Sequence, residues 1–276
     1  LPEVSAKELS TMVPIEARKY IPVPMEEVML DWSVIPKSEM QREEPELTPL
    51  GATPILAPAA SPLPKIDVLT VAIHKGTIAR YQDIVNQAGL EAGFFEIEIF
   101  STMRSVLDEG LRPVMIMDMG AASTKLYIIE RGIIRVSHTI NRGSQDITST
   151  ISKSLGITPE QAEIMKRSVG AAGNDPKLNE LIALVLDHIF AEVNTTLLSF
   201  EKKYNKTVAK AILVGGGAAL KGISELAKNN FKTEAEMGAP FNKVSTPAFL
   251  EKILRETGPE FAVAIGLALR KLAEEE

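Results

Sequence analysis

The chain is predicted to be an α/β protein in two parts, a small α+β portion followed by a larger one whose strands run into glycine-rich turns. Three observations carry this. VMIMDMGAASTKLYIIERG, residues 114–132, reads as two apolar strands around a turn of small residues. LVGGGAALKG, residues 213–222, is a buried strand that empties into three glycines and a helix start. Around both, strand-period and helix-period segments alternate, which is the pattern of a sheet covered by helices.

Taken in order, SAKELSTMVPIEARKY (5–20) is predicted helical, broken or ended near Pro14, because proline lacks a donor for the helix ladder. VMLDWSVI (28–35) alternates like a strand. Residues 36–64 hold seven prolines and no apolar period. Such a segment buries too little to offset its ordering entropy, so it is predicted to be a flexible loop or linker, long enough to mark an insertion or domain joint. KIDVLTVAIHKG (65–76) is a predicted strand. TIARYQDIVNQAG (77–89) is a predicted helix with Ile78, Tyr81, Ile84 and Val85 on its apolar side and Gly89 as its stop. EAGFFEIEIF (91–100) is predicted to be another strand and STMRSVLDEG (101–110) a short helix capped by Ser101.

After the strands of 114–132 comes a further β-run, GIIRVSHTI, and then helices at SQDITSTISKSLG and TPEQAEIMKRSVG. In the second, Thr158 caps, Pro159 fits the first turn and Gln161 completes a capping box. A long helix is predicted from Asp175 to about Lys203. Leu178, Leu181, Ile182, Val185, Ile189, Val193 and Leu197 share one stripe of it and are predicted core. EFAVAIGLALRKL closes the chain as a helix ahead of an acidic tail.

Composition narrows the function classes. The chain has no cysteine, which excludes disulfides, thiolate metal sites and cysteine nucleophiles. His74, His138 and His188 are scattered singly, without metal-ligand spacing. A net charge of −6, a pI near 5.4 and the lack of a basic cluster argue against a nucleic-acid partner. The apolar run LIALVLDHIF is cut by Asp187 and falls short of the roughly 20 residues of a membrane span, so no direct membrane insertion is expected. LPEVSAKELS lacks the basic and apolar regions of a signal peptide. The sequence has no initiator methionine, and a fragment or processed product is expected.

Two turns carry the candidate chemistry. In DMGAAST, Gly120, Ala121 and Ala122 leave successive backbone N–H groups unobstructed, a nest that suits phosphate. Asp118, at the strand end, is placed to hold Mg through water, and Ser123 and Thr124 can add hydroxyl contacts. Read alone, the turn fits a plain hairpin and a phosphate loop equally. In LVGGGAALKG, the run Gly215, Gly216, Gly217 exceeds what tight strand–helix packing needs and points to close backbone approach to a nucleotide. It is neither a Walker A loop nor a Rossmann fingerprint.

Together these stretches resemble the second lobe of the actin-like ATPases: a DxGxxxT hairpin, about a hundred residues with a helical insertion, then GGGAxLxG. The chain resembles the PilM family of type IV pilus assembly and, more distantly, the FtsA cell-division proteins. EARKYIPVPMEEVMLDW and the stretch from LTVAIHKG to MRSVL resemble the extra subdomain and the return to the first lobe. MDMGAASTKL resembles the second phosphate loop, GITPEQAEIMKRSVG the segment approaching ribose and base, ILVGGGAALKGI the adenosine loop and FAVAIGLALR the closing helix.

The resemblance implies an α/β, actin-like ATPase fold with ribonuclease H-like lobes and an inserted α+β subdomain. In it residues 1–19 are a remnant of an incomplete first lobe, 20–100 the insertion with its loop 36–64, and 101–113 the return. Residues 114–276 form the second lobe, with a helical insertion at about 143–204. It implies ATP and Mg as ligands of Asp118, Gly120, Ala121, Ala122, Ser123, Thr124, Lys125, Gly215, Gly216, Gly217 and Ala218. It adds Glu163 and Lys166 as nucleoside contacts, where spacing alone shows only an ordinary i, i+3 ion pair. The implied partners are the cytoplasmic tail of a PilN-like protein and other proteins of the inner-membrane platform, at the cytoplasmic face of that membrane, with self-association open. A first phosphate loop is missing from the sequence. Glu98 lies where this family's water-orienting residue is sought, but its alternation predicts a strand face, so no catalytic residue is named and at most a slow ATPase is expected. The rival readings are an FtsA-like division protein and a small-metabolite kinase of related fold.

Overall fold

The computed structural model describes residues 1–35, 65–108, 110–171 and 173–275, in two compact units, Leu1–Phe95 and Glu96–Glu276. The predicted linker at 36–64 lies outside the described residues.

In the first unit, helix α1 (Ala6–Ala17) opens on a capping box. The Glu8 amide donates to Ser5 Oγ and the Ser5 amide returns a bond to the Glu8 carboxylate. The helix does not break at Pro14. The carbonyl that proline leaves without a donor belongs to Ser10, which is exposed and open to water, while Val13 and Ala17 stay buried. Strands β1 (Val28–Val34) and β2 (Val68–His74) pair antiparallel from Val28↔His74 to Val34↔Val68. Leu9 and Val13 of α1 bury Ile66, with Leu1, Val4, Trp32 and Val68 packed around them. Helix α2 (Lys75–Gln87) follows, and none of its residues is buried.

The second unit begins with a correction. No strand forms at 91–97. Helix α3 (Glu98–Val106) starts where the strand was expected to run, and Ser101 is buried inside it, with Ile97 as the cap. The alternation of EIEIF misled because its apolar residues serve a helix entry. Glu96 turns inward to accept a fork of hydrogen bonds from Arg104 (2.8 and 3.1 Å) and one from Arg270 (3.1 Å).

The unit's sheet has the order β5-β4-β3-β6-β7: β3 Val114–Met119, β4 Thr124–Glu130, β5 Ile133–Ile140, β6 Lys210–Val214 and β7 Glu234–Met237. β3–β4 and β4–β5 are antiparallel, whereas β3–β6 and β6–β7 are parallel. The short edge strand β7 was not foreseen; its alternating Glu and Ala carry little apolar signal. Both sheet faces are covered, which is why the central strands read as unbroken apolar runs. Met115, Met117 and Met119 face helices α4 (Ser144–Leu155), α6 (Pro176–Tyr204) and α7 (Ile223–Phe231). Ile116, Tyr127, Ile129, Ile212 and Val214 face the other way, packed with Ile99 of α3 and Ala262. Helix α5 (Pro159–Val169) packs beside α4, α8 (Glu251–Thr257) is a short surface helix and α9 (Ala262–Glu275) closes the unit.

The capping box at Thr158 and Gln161 is present as predicted. So is the core stripe of α6, in which Leu178, Ile182, Val185, Ile189 and Val193 are buried and Leu181 and Leu197 partly so. By length and composition α6 could cross a membrane, contrary to the sequence expectation, but its apolar stripe is the core of this unit.

Candidate functional site

The β3–β4 turn is held rigidly from one side. The Gly120 amide donates to the Ser123 carbonyl, and at the start of α4 the Ser144 and Gln145 amides donate to the carbonyls of Gly120 and Ala121, each at 2.9 Å. With its carbonyls turned toward α4, the turn leaves the amides of Ala121, Ala122 and Ser123 without a backbone acceptor among the described residues. Ala121 and Ala122 are exposed. Thr124 is fully buried, and its hydroxyl donates to the Arg142 carbonyl at 2.8 Å. It therefore acts as a strut for the turn.

Asp118, the next-to-last residue of β3, lies directly beside Val214 at the end of β6, because these neighbouring strands are parallel. The second glycine turn consequently lies against the first. A Cβ on Gly215 would collide with Asp118 Oδ1 and the Met119 carbonyl, and one on Gly217 with the Met119 side chain. Gly215 also has φ +84°, a conformation that side chains strain. Gly216 faces open space. Both turns thus sit at the carboxyl ends of parallel strands, where open α/β sheets present backbone to ligands.

Glu163 and Lys166 prove to be more than an exposed surface pair. Lys166 is 7% exposed and donates to Glu163 (2.7 Å), the Thr148 hydroxyl (3.0 Å) and the Ser144 carbonyl (3.2 Å). Thr148 and Arg167 also donate to Glu163, at 2.6 and 2.8 Å. Burial pushes the Glu163 carboxyl up, but the bonds from Lys166, Thr148 and Arg167 outweigh it and bring the pKa down to about 2. This knot ties α5 to the start of α4, which itself supports the first turn. The end of α5 also meets the loop after the second turn, where the Ala171 amide donates to the Lys221 carbonyl at 2.7 Å.

Glu98 was expected on a strand face and is instead the first residue of α3, with its carboxylate paired to the Lys125 ammonium. Only the three-dimensional position of α3 reveals this, since the two residues are 27 positions apart. The group influences its surroundings. Burial and the Glu98 charge raise the pKa of Asp118 against the opposing pull of Lys125. Burial, Glu98 and Asp118 push the Tyr127 hydroxyl up to about 12.

This architecture is that of the actin-like ATPases. Residues 54–272 match the family described as type IV pilus assembly protein PilM, and the chain belongs to that family. A solved PilM–PilN type IV pilus biogenesis complex superposes with a TM-score of 0.80 over 98% of this chain and 74% of that chain, at 26% identity. An MreB protein of Spiroplasma citri bound to AMPPNP shares the fold, with a TM-score of 0.54 over 74% of this chain and 66% of that one, at 16% identity. Cell division protein FtsA of Streptococcus pneumoniae is 26% identical over 195 residues, 61% of this chain and 42% of the relative. FtsA of Escherichia coli K12 is 23% identical over 234 residues, 74% of this chain and 54% of the relative. The chain spans about half the length of these curated relatives.

Proposed function

We propose that the Glu96–Glu276 unit binds ATP with Mg, and that the protein uses the nucleotide as a conformational ligand in a type IV pilus assembly platform. The observation that carries this reading is the meeting of the two glycine turns at the ends of β3 and β6. The free amides of Ala121, Ala122 and Ser123, with Gly120, would face phosphate. Gly215, Gly216, Gly217 and Ala218, together with Glu163 and Lys166, would bound the nucleoside, while Thr124 and Lys125 hold the turn and its flank. The carboxylate beside the two turns is that of Asp118, next to Val214 of β6. That donor set suits Mg, which keeps much of its water and sits on one or two carboxylates plus phosphates, here Asp118. Bound Mg would supply charge neutralisation at the phosphates.

The partner in this reading is the cytoplasmic tail of a PilN-like protein, which would bring the protein to the cytoplasmic face of the inner membrane. The Leu1–Phe95 unit offers a groove of about 390 Å³ between α1 and β2, lined by Val13, Glu16, Ala17, Tyr20, Val68 and Thr70. An extended peptide could lie there by edge pairing and a few side-chain pockets.

Calorimetry tests the nucleotide reading. Asp118→Ala is expected to weaken Mg-dependent ATP binding by about tenfold or more, the loss of one charge-assisted contact. Equal affinity in the variant removes Asp118 from the site.

A further inference from the structure

We propose that Lys125 restrains Glu98, and that by holding this carboxylate it makes the site one that retains ATP instead of consuming it. The proposal rests on the nucleotide reading above. Asp118 and Lys125 are register partners across β3 and β4, where opposite charges ordinarily pair with each other. Here they do not. The Lys125 ammonium is bound to Glu98, and Asp118 makes no ion pair or hydrogen bond among the described residues.

Glu98 is also held from behind. Glu96, two residues earlier, takes the Arg104 fork, and Arg104 reaches on to the Gly266 carbonyl of α9 at 2.8 Å. At Gly266 the two helices approach so closely that a Cβ would strike the Ser101 carbonyl. The first turn of α3 is therefore anchored, and the carboxylate it presents beside the phosphate turn meets Lys125.

The chemistry gives this pairing a consequence. In hydrolysis a water oxygen bonds to the γ-phosphorus while the bond from that phosphorus to the bridging oxygen breaks. The water proton passes to a base, leaving ADP and inorganic phosphate. In the nucleotide reading Asp118 would hold Mg, and Glu98, paired to Lys125 across from Asp118, would be the carboxylate to accept that proton. A carboxylate held in a bond to an ammonium keeps that oxygen turned to the ammonium and away from an attacking water. Lys125 and Glu98 are each about one-third exposed at the side chain, so replacing either leaves the core intact.

The test uses Lys125→Met, Lys125→Arg and Lys125→Met combined with Glu98→Gln. Single-turnover ATP hydrolysis is measured beside the calorimetric affinity for a non-hydrolysable ATP analogue. Lys125→Met is expected to bind the analogue within about tenfold of the unsubstituted protein and to hydrolyse ATP at least about tenfold faster, a modest share of what a freed general base contributes. Lys125→Arg should keep the slow rate, and adding Glu98→Gln should remove the gain. The proposal is overturned if Lys125→Met hydrolyses no faster. It is equally overturned if that variant loses more analogue affinity than this, which would make Lys125 a phosphate contact. An unsubstituted protein that binds no analogue overturns the nucleotide reading itself, and this proposal with it.

Discussion

Gly215 and Gly216 are neighbours in the chain but differ in what a side chain would meet. At Gly215 a methyl group would run into Asp118 and Met119 and strain a φ of +84°. Gly215→Ala is therefore expected to lower the unfolding free energy by about 2–4 kcal/mol in urea denaturation. Gly216→Ala should leave stability within about 0.5 kcal/mol, because its Cβ points into open space. If the nucleotide reading is right, that same substitution weakens nucleotide binding, so the pair separates a structural glycine from a ligand-facing one. Glu163 yields a pH prediction. Its pKa falls from an ordinary 4.5 to about 2 on folding, so the stability it contributes is present above about pH 4.5 and is lost as pH falls toward 2. In Glu163→Gln the acid limb of the stability curve should flatten over that window, as read by melting temperature. An unchanged limb would mean the carboxyl is not held by Lys166 and Thr148 in solution.

At the scale of elements, the joint between α3 and α9 combines the close approach at Gly266, the Arg104 bond to the Gly266 carbonyl and the charge of Glu96. Glu96 is 8% exposed at the side chain and accepts from Arg104 and Arg270. Glu96→Ala would take one partner from each of two guanidinium groups that are about one-third exposed and leave them others, Arg104 on the Gly266 carbonyl and Arg270 on Glu274, so a loss of about 1–2 kcal/mol is expected. Urea denaturation measures it, and a loss under 0.5 kcal/mol, about that of a neutral surface change, would show the network to be dispensable. Helix α2 is the opposite case. With no buried residue, its amides should exchange with deuterium well ahead of those of α6, whose stripe is core. Equal protection of the two helices would mean that α2 is covered in solution.

For the whole molecule, the two units differ in how much core each owns. Leu1–Phe95 rests on Leu9, Val13 and Ile66, whereas both clusters that sandwich the five-stranded sheet lie within Glu96–Glu276. Residues 96–276 expressed alone are therefore expected to unfold cooperatively, with a sharp melting transition by circular dichroism. A gradual, featureless melt would show that the first unit is needed to complete this core.

Local pattern alone was enough for the covered strands, the capping box at Thr158, the α6 stripe and the two glycine turns. Each depends on residues within a few positions of one another, and such short-range preferences are written directly into spacing and residue type. Tertiary structure decided the rest. That α1 survives Pro14 depends on which side of the helix faces water, and that EIEIF enters a helix depends on Arg104 and Arg270 drawing Glu96 inward. The contact between Gly215 and Asp118 follows from β3 and β6 lying side by side though nearly a hundred residues apart, and the hold of Lys125 on Glu98 from where α3 comes to rest. Contacts of that range are paid for only when the sheet closes, and no local period in the chain records them.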